Sequence, residues 1–425
     1  MAEYKRKRRG AFKSVPKVNK KHLKGRVQNE EIKMRPQEED YIPKKKMRVV
    51  PGKKLERKRR FKIGAVAVAI IVLVILICEL AIPAGIIETF SNWTAVIGGG
   101  SYPLNLESSN TVNAVSKGSY YYLLTNSSIS AFSNSGKKIF SYSHGFENPV
   151  LKTSETRALV FEQGGTQALI FTLNDLESTV ETKQKIKNAA IGDDGTYALV
   201  TTADNYAAQV SVYDKNDELQ YEWFSSNDLV NNVAVATSGK KIAVSTIKSN
   251  VGKYDSNVYV FEFDSATPKF QKTYEGTVVY TLDTSHGSGF STLTSNKYDF
   301  VYWSDYETVS YSNEYSTSMF RASDNGIAIV YNRESDKTDN RIVVFSDDGE
   351  LESELEFKGI ITDFALRDGN IYCICDTKAY ILDEKGEIMR SKDCGFGVIK
   401  ICPTGQDTVA VITDNIIDEI KLEQE

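Results

Sequence analysis

Two hydrophobic patterns divide the chain. From Ile63 the sequence runs IGAVAVAIIVLVILIC without a charge, and after Glu79 the apolar stretch resumes as LAIPAGII. Residues 62–82 therefore read as a transmembrane helix, because about 20 apolar residues rising about 1.5 Å each cross a hydrocarbon core of about 30 Å. Residues 83–100 read as a linker ending in Gly98-Gly99-Gly100, and beyond it the texture changes. Short alternating runs of β-branched and aromatic residues, punctuated by Gly, Asp, Asn and Ser, predict an all-β domain over residues 101–425.

Two hairpin signatures recur in that domain. One is strand, glycine turn, strand, as in AVSKGSYYYLLT from Ala114, AIGDDGTYALVTT from Ala190 and FALRDGNIYCICD from Phe364. The other follows it, as in ISAFSNSGKKIFSY from Ile129, VSVYDKNDELQYEW from Val210 and AYILDEKGEIMRSK from Ala379. Tight turns of Gly or Asn between alternating strands are hairpin chemistry. Units begin near Val112, Val150, Asn188, Asn231, Val278, Met319, Ile361 and Ile399, at spacings of 38 to 47 residues. A period of about forty with four strands per unit predicts a β-propeller. Seven or eight four-stranded blades fit; eight fits better, with the units at Val150 and Val278 the looser matches.

The last unit, from Val398, has room for three strands before Glu425, and SYPLNLES at 101–108 supplies a spare one. Pairing the two ends closes the ring and removes the exposed sheet edges. In a blade the innermost strand a runs from top to bottom, so the a–b and c–d turns lie on the bottom and the b–c and d–a connections on top. A strand d at 101–108 must be entered from below. The bottom is thus expected to face the membrane and the top to be displayed.

Charge sets the direction of insertion. Residues 1–62 hold 24 Lys and Arg against 7 Asp and Glu, which leaves 28 against 49 for residues 63–425. The basic flank KKLERKRRFK at 53–62 puts the N-terminus in the cytoplasm and the β domain outside the cell membrane. The long N-terminal region and Ile82, two positions before Ala84, argue against a cleaved signal. Leu76 and Ile77 before Cys78 argue against lipidation. Residues 1–61, rich in Lys, Arg and Pro and without an apolar period, are expected to form a disordered cytoplasmic tail. Its basic clusters read as topology signal and solvated charge, with adhesion to anionic lipid as the alternative. Nothing in it resembles a base-reading motif or a stacking platform, so nucleic acid is not expected.

Candidate chemistry changes this picture little. Cys373, Cys375, Cys394 and Cys402 show no metal-binding spacing and read as small buried hydrophobes, with a Cys394–Cys402 disulfide as the alternative. Only His22, His144 and His286 are present, which disfavours a histidine metal site. SDNG at Ser323 and SDDG at Ser346 read as ordinary turns, and there is no GxSxG elbow or HExxH helix. No catalytic residue and no cofactor is expected. The runs Tyr120-Tyr121-Tyr122 and Tyr302-Trp303 read as core. Long connections collect on the top face: ADNYAAQ from Ala203, KSNVGKYDSN from Lys248, NRESDKTDN from Asn332 and SHGFENP from Ser143. Binding residues concentrate on such loops, which makes His144, Glu147, Tyr206, Lys253, Tyr254 and Arg333 the candidate interaction residues.

The layout of basic tail, single anchor and repeated blades resembles an uncharacterised family of membrane-anchored propeller proteins of clostridial, Gram-positive bacteria. The resemblance spans residues 62–425 and rests on pieces such as NPVLKTSETRALVF from Asn148 and IGDDGTYALVTT from Ile191. It implies a fold, a topology and an envelope setting, and carries over no site. The expectation is a binding or scaffold module recognising a protein or cell-wall polymer. The alternatives are an exported enzyme, glycan-active or quinone-dependent, and a signalling or assembly factor acting through the basic tail.

Overall fold

The computed structural model describes residues 91–106, 110–236, 240–284, 287–323 and 326–424. The expected tail, membrane segment and His286 lie outside the described residues. Among those described, no helix is long and apolar enough to cross a membrane.

The described strands form eight four-stranded antiparallel sheets, each sheet a blade. The innermost strands a of blades 1 to 8 are Thr111–Lys117, Pro149–Thr153, Ile186–Ile191, Leu229–Val235, Thr281–Asp283, Ser316–Ser323, Ile361–Arg367 and Lys400–Pro403. They match the eight unit starts read from the sequence. The two looser units are complete blades, though strand a of blade 5 has only three residues.

Burial explains the sequence texture. Strand b of blade 1, Tyr120–Thr125, is buried at every position, because both of its faces meet a neighbouring strand layer. Strand d of blade 2, Leu176–Glu181, alternates between half-buried and exposed. Strands covered on both faces read as continuous apolar runs and half-covered ones as alternation. The core is accordingly divided into one apolar cluster per blade seam. Tyr121, Tyr122 and Trp303 are buried in these seams, as expected.

The ring closes as anticipated. Leu104 and Asn105 form strand d of blade 8, pairing with Ile417 and Ile416. Leu104 and Tyr102 pack on the cluster between blades 8 and 1. Within the stretch expected as a linker, residues 91–96 form a short helix against the bottom of blades 1 and 2. Lys137 Nζ donates to the Ala95 and Ile97 carbonyls at 2.8 Å each, and Asn174 Nδ2 donates to Ser91 Oγ at 3.0 Å. Gly100 passes so close to Gly136 that a Cβ there would lie 2.1 Å from the Gly136 carbonyl carbon, so only glycine fits.

Two features of the expected layout differ. KSNVGKYDSN and NRESDKTDN are not loops. Strands Lys241–Asn250 and Lys253–Glu262 continue one through Val251-Gly252, and Gly326–Arg333 and Asp336–Phe345 continue the other. Both are long β-hairpins, and their tips look loop-like in sequence because neither face of the tip is buried. The four cysteines at the C-terminal end are free: Cys373, Cys375 and Cys402 are buried and Cys394 is partly so. The alternative disulfide does not form, since Cys394 packs in the seam of blades 7 and 8 and Cys402 in that of blades 8 and 1.

Candidate functional site

The expected interaction residues are distributed round the ring and not gathered. His144 and Glu147 lie between blades 1 and 2, Tyr206 on blade 3, Lys253 and Tyr254 on the hairpin of blade 4, and Arg333 on that of blade 6. His144 is committed to the fold. Its Nδ1 accepts the Phe146 N–H at 3.0 Å, and its Nε2 lies 3.1 Å from the Thr125 carbonyl. With Nδ1 accepting, the ring proton sits on Nε2 and is donated to Thr125. Burial holds the imidazole pKa below its usual value, and the ring stacks on Phe146. Arg333 is likewise engaged: it donates to Tyr315 Oη at 2.7 Å, pairs with Asp339 at 3.2 Å and lies over the Tyr315 ring.

Glu147, Lys253 and Tyr254 remain exposed. Tyr254 stands beside the hairpin tip, where Val251 is 99% exposed and adopts φ 44°. That conformation is unusual for a β-branched residue. Tyr206 leans over Phe224, with ring centroids 4.9 Å apart, at the rim of a cleft of about 490 Å³ between blades 2 and 3.

A different set of residues lies near one end of the inner strands. On the top face five blades carry an exposed apolar side chain near the start of strand a: Leu229 first in its strand, Val112 second, Tyr280 and Ile360 one residue before, and Phe396 four residues before, in the connection. Exposure runs from 44% at Val112 to 91% at Phe396. Phe396 stands between Gly395 and Gly397, both with positive φ, which turns the chain sharply and lifts the ring into solvent. Because strands a surround the central channel, these residues lie on the channel side of the top face. Sequence reasoning passed over them by looking for length in the connections. The signal present was the apolar residue set among turn formers, in GIITD at 359–363 and CGFGV at 394–398.

Below the mouth, the strands a of blades 1 to 6 line a channel cavity of about 330 Å³. Charged side chains of neighbouring inner strands meet beside it. Asp363 of blade 7 binds Arg321 of blade 6 and, at 3.4 Å, Lys400 of blade 8, while its second oxygen accepts the Ile401 N–H at 3.0 Å. Lys152 of blade 2 is lowered from the usual lysine range by burial, with Asp283 of blade 5 opposing the shift. Among the described residues no group of three His, Cys, Asp or Glu is placed to hold a metal ion.

The ring has structural counterparts. The C-terminal WD40 domain of Sif2 aligns with a TM-score of 0.52 at 10% identity, over 76% of this chain and 99% of that one. BamB from Moraxella catarrhalis aligns with a TM-score of 0.47 at 9% identity, over 75% and 98%. AztD from Citrobacter koseri aligns at 0.46 and 12% identity, over 67% and 86%. At these identities only the fold is held in common, and the first alignment is the one that supports it. No curated protein matches the sequence. One family does, described as a family of unknown function, DUF5711, over residues 101–422.

Proposed function

Because this chain belongs to DUF5711, a family of unknown function, we propose its role from its own geometry. It is a binding module of a bacterial cell envelope, anchored through residues 62–82 with the tail in the cytoplasm and the propeller outside, and it docks a protein on the top face of the ring. The observation that carries this reading is the exposure of Val112, Leu229, Tyr280, Ile360 and Phe396 on the channel side of the top face. Connections are free to be polar, so apolar side chains held in water near the top ends of the inner strands of five blades mark a recognition surface. Aromatic anchors such as Tyr280 and Phe396 are the side chains that dominate binding energy in such surfaces.

The anchor and its direction rest on the apolar run and the charge division of the sequence. The chain reaches the ring beside the c–d turns of blades 1 and 2, which supports a bottom face turned to the membrane and a top face turned away. A Tyr280→Asp, Phe396→Asp double variant tests the docking role. Both side chains are exposed, so the melting temperature should be unchanged while the protein that co-purifies from membranes with the wild-type full chain is lost. Full retention of that partner by the double variant overturns the reading.

A further inference from the structure

The seam between blades 2 and 3 is packed by its apolar cluster but opens at its upper outer end, where the next seam is filled. Between blades 3 and 4, Tyr221 and Trp223 of one strand d meet Tyr259 and Phe261 of the following strand c, with the Trp223 ring 5.1 Å from Phe261 and 6.3 Å from Tyr259. At the same register one blade earlier, Ser178 and Val180 stand for Tyr221 and Trp223, and Ser211 stands for Tyr259. Of these, Ser211 lines a cleft of about 490 Å³ at the upper end of the seam. The cleft is open to solvent and lined mainly by polar groups.

Its lining has a definite chemistry. Thr201, Gln209 and Phe224 form one cross-strand row of the floor, and Tyr206 tilts at 40° over Phe224, so two exposed aromatic rings border the opening. Planar polar side chains beside them hold one another in place. Gln209 Nε2 donates to Glu222 Oε1 at 2.6 Å and to Ser211 Oγ at 3.0 Å. Gln184 Nε2 donates to Asp204 Oδ1 at 2.9 Å. Each amide is engaged through its nitrogen, which leaves the Gln209 carbonyl and the second oxygens of Asp204 and Glu222 as fixed acceptors. Glu181 and Asp204 against Lys183 give the lining an acidic balance, which repels polyanions.

We propose that this cleft is a saccharide subsite that takes a neutral chain of pyranose units. A pyranose ring presents an apolar C–H face that suits an aromatic platform, and its rim of hydroxyls donates to oriented amide and carboxylate oxygens. Pockets of this size, part apolar with a few placed polar groups, are the usual form of small-ligand sites. The subsite is separate from the apolar mouth and does not depend on it.

The test titrates the full-length protein with cellohexaose and chitohexaose, and with an oligogalacturonate as the acidic control. A neutral hexasaccharide should bind, and Phe224→Ala or Tyr206→Ala should weaken it about tenfold by removing part of the platform. Ser211→Tyr should fill the seam as Tyr259 fills the next one, abolishing sugar binding while the melting temperature stays level or rises. Phe396→Asp, at the top mouth, should bind sugar as wild type does. The proposal is overturned if neither neutral hexasaccharide binds, if the oligogalacturonate binds more tightly, or if binding survives both platform substitutions and Ser211→Tyr.

Discussion

Single residues in this chain carry tasks that their type alone does not announce. At the c–d turns, Gly136, Gly349 and Gly386 take the left-handed conformation, and in blade 3 that position is Asp217, at φ 63°. Asp217 accepts the Tyr197 hydroxyl of its own blade at 2.8 Å and, across the seam, Ser178 Oγ at 2.7 Å, so the backbone cost of a non-glycine residue is offset by these ties. The turn itself was legible from its pattern; the ties were not, because their partners lie in other strands. His144 shows the same limit. A polar residue in a connection looks alike in sequence whether it meets a ligand or is spent on Thr125 and Phe146. Its lowered pKa has a consequence. The unfolded chain binds that proton more readily, so the stabilisation from neutral His144 is complete above about pH 6.5 and is lost as pH falls below it. Wild type should therefore lose more melting temperature between pH 7.5 and pH 5 than His144→Asn, which keeps an acceptor for Phe146 but does not titrate. Equal slopes for the two proteins would contradict this role.

At the scale of elements, the apolar alternation and turn glycines made strand order, blade starts and the closing strand readable. The departures from regular strands were not readable. In blades 3, 4 and 7 strand a carries a register shift just before Asn188, Asn232 and Asp363. Each of these polar side chains then reaches the next blade: Asn188 the Asn231 carbonyl at 2.6 Å, Asn232 the Val279 carbonyl at 3.2 Å and Asp363 the Ile401 N–H at 3.0 Å. A bulge re-aims a side chain, and here it places polar groups where adjoining inner strands meet. Nothing in the residue order marks which position is skipped, since the shift depends on pairing. Asp363→Ala should destabilise the propeller by about 3 kcal/mol, the low end for stranding buried partner charges, because Arg321 is a third exposed. Asp407→Ala removes the more exposed pair with Arg390 and should cost less than about 1 kcal/mol. Denaturant midpoints of the two variants check the ordering.

For the whole molecule, eight blades joined by eight apolar seams form a ring whose last sheet is completed by Leu104 and Asn105, far from it in sequence. This architecture was legible because each blade repeats one pattern and the ends are complementary in strand number. The candidate surface was less legible: the long hairpins drew notice away from the short connections at the top ends of the inner strands. The two faces differ in where apolar side chains stand. On top, five of them stand near the starts of the inner strands while Tyr206, Val251 and Tyr254 stand farther out, whereas Leu219 and Leu351 stand at the first residues of outer strands on the bottom rim. Grouping near the inner strands is what one docked partner requires, because hot spots cluster near the centre of an interface. The most direct test places a photo-crosslinking side chain at position 280 or 396 on top, or at 219 or 351 below, in the full-length protein in the cells that make it. The account predicts one and the same protein adduct from both top positions and none from the bottom pair. Adducts from the bottom positions alone, or different adducts from 280 and 396, would contradict it.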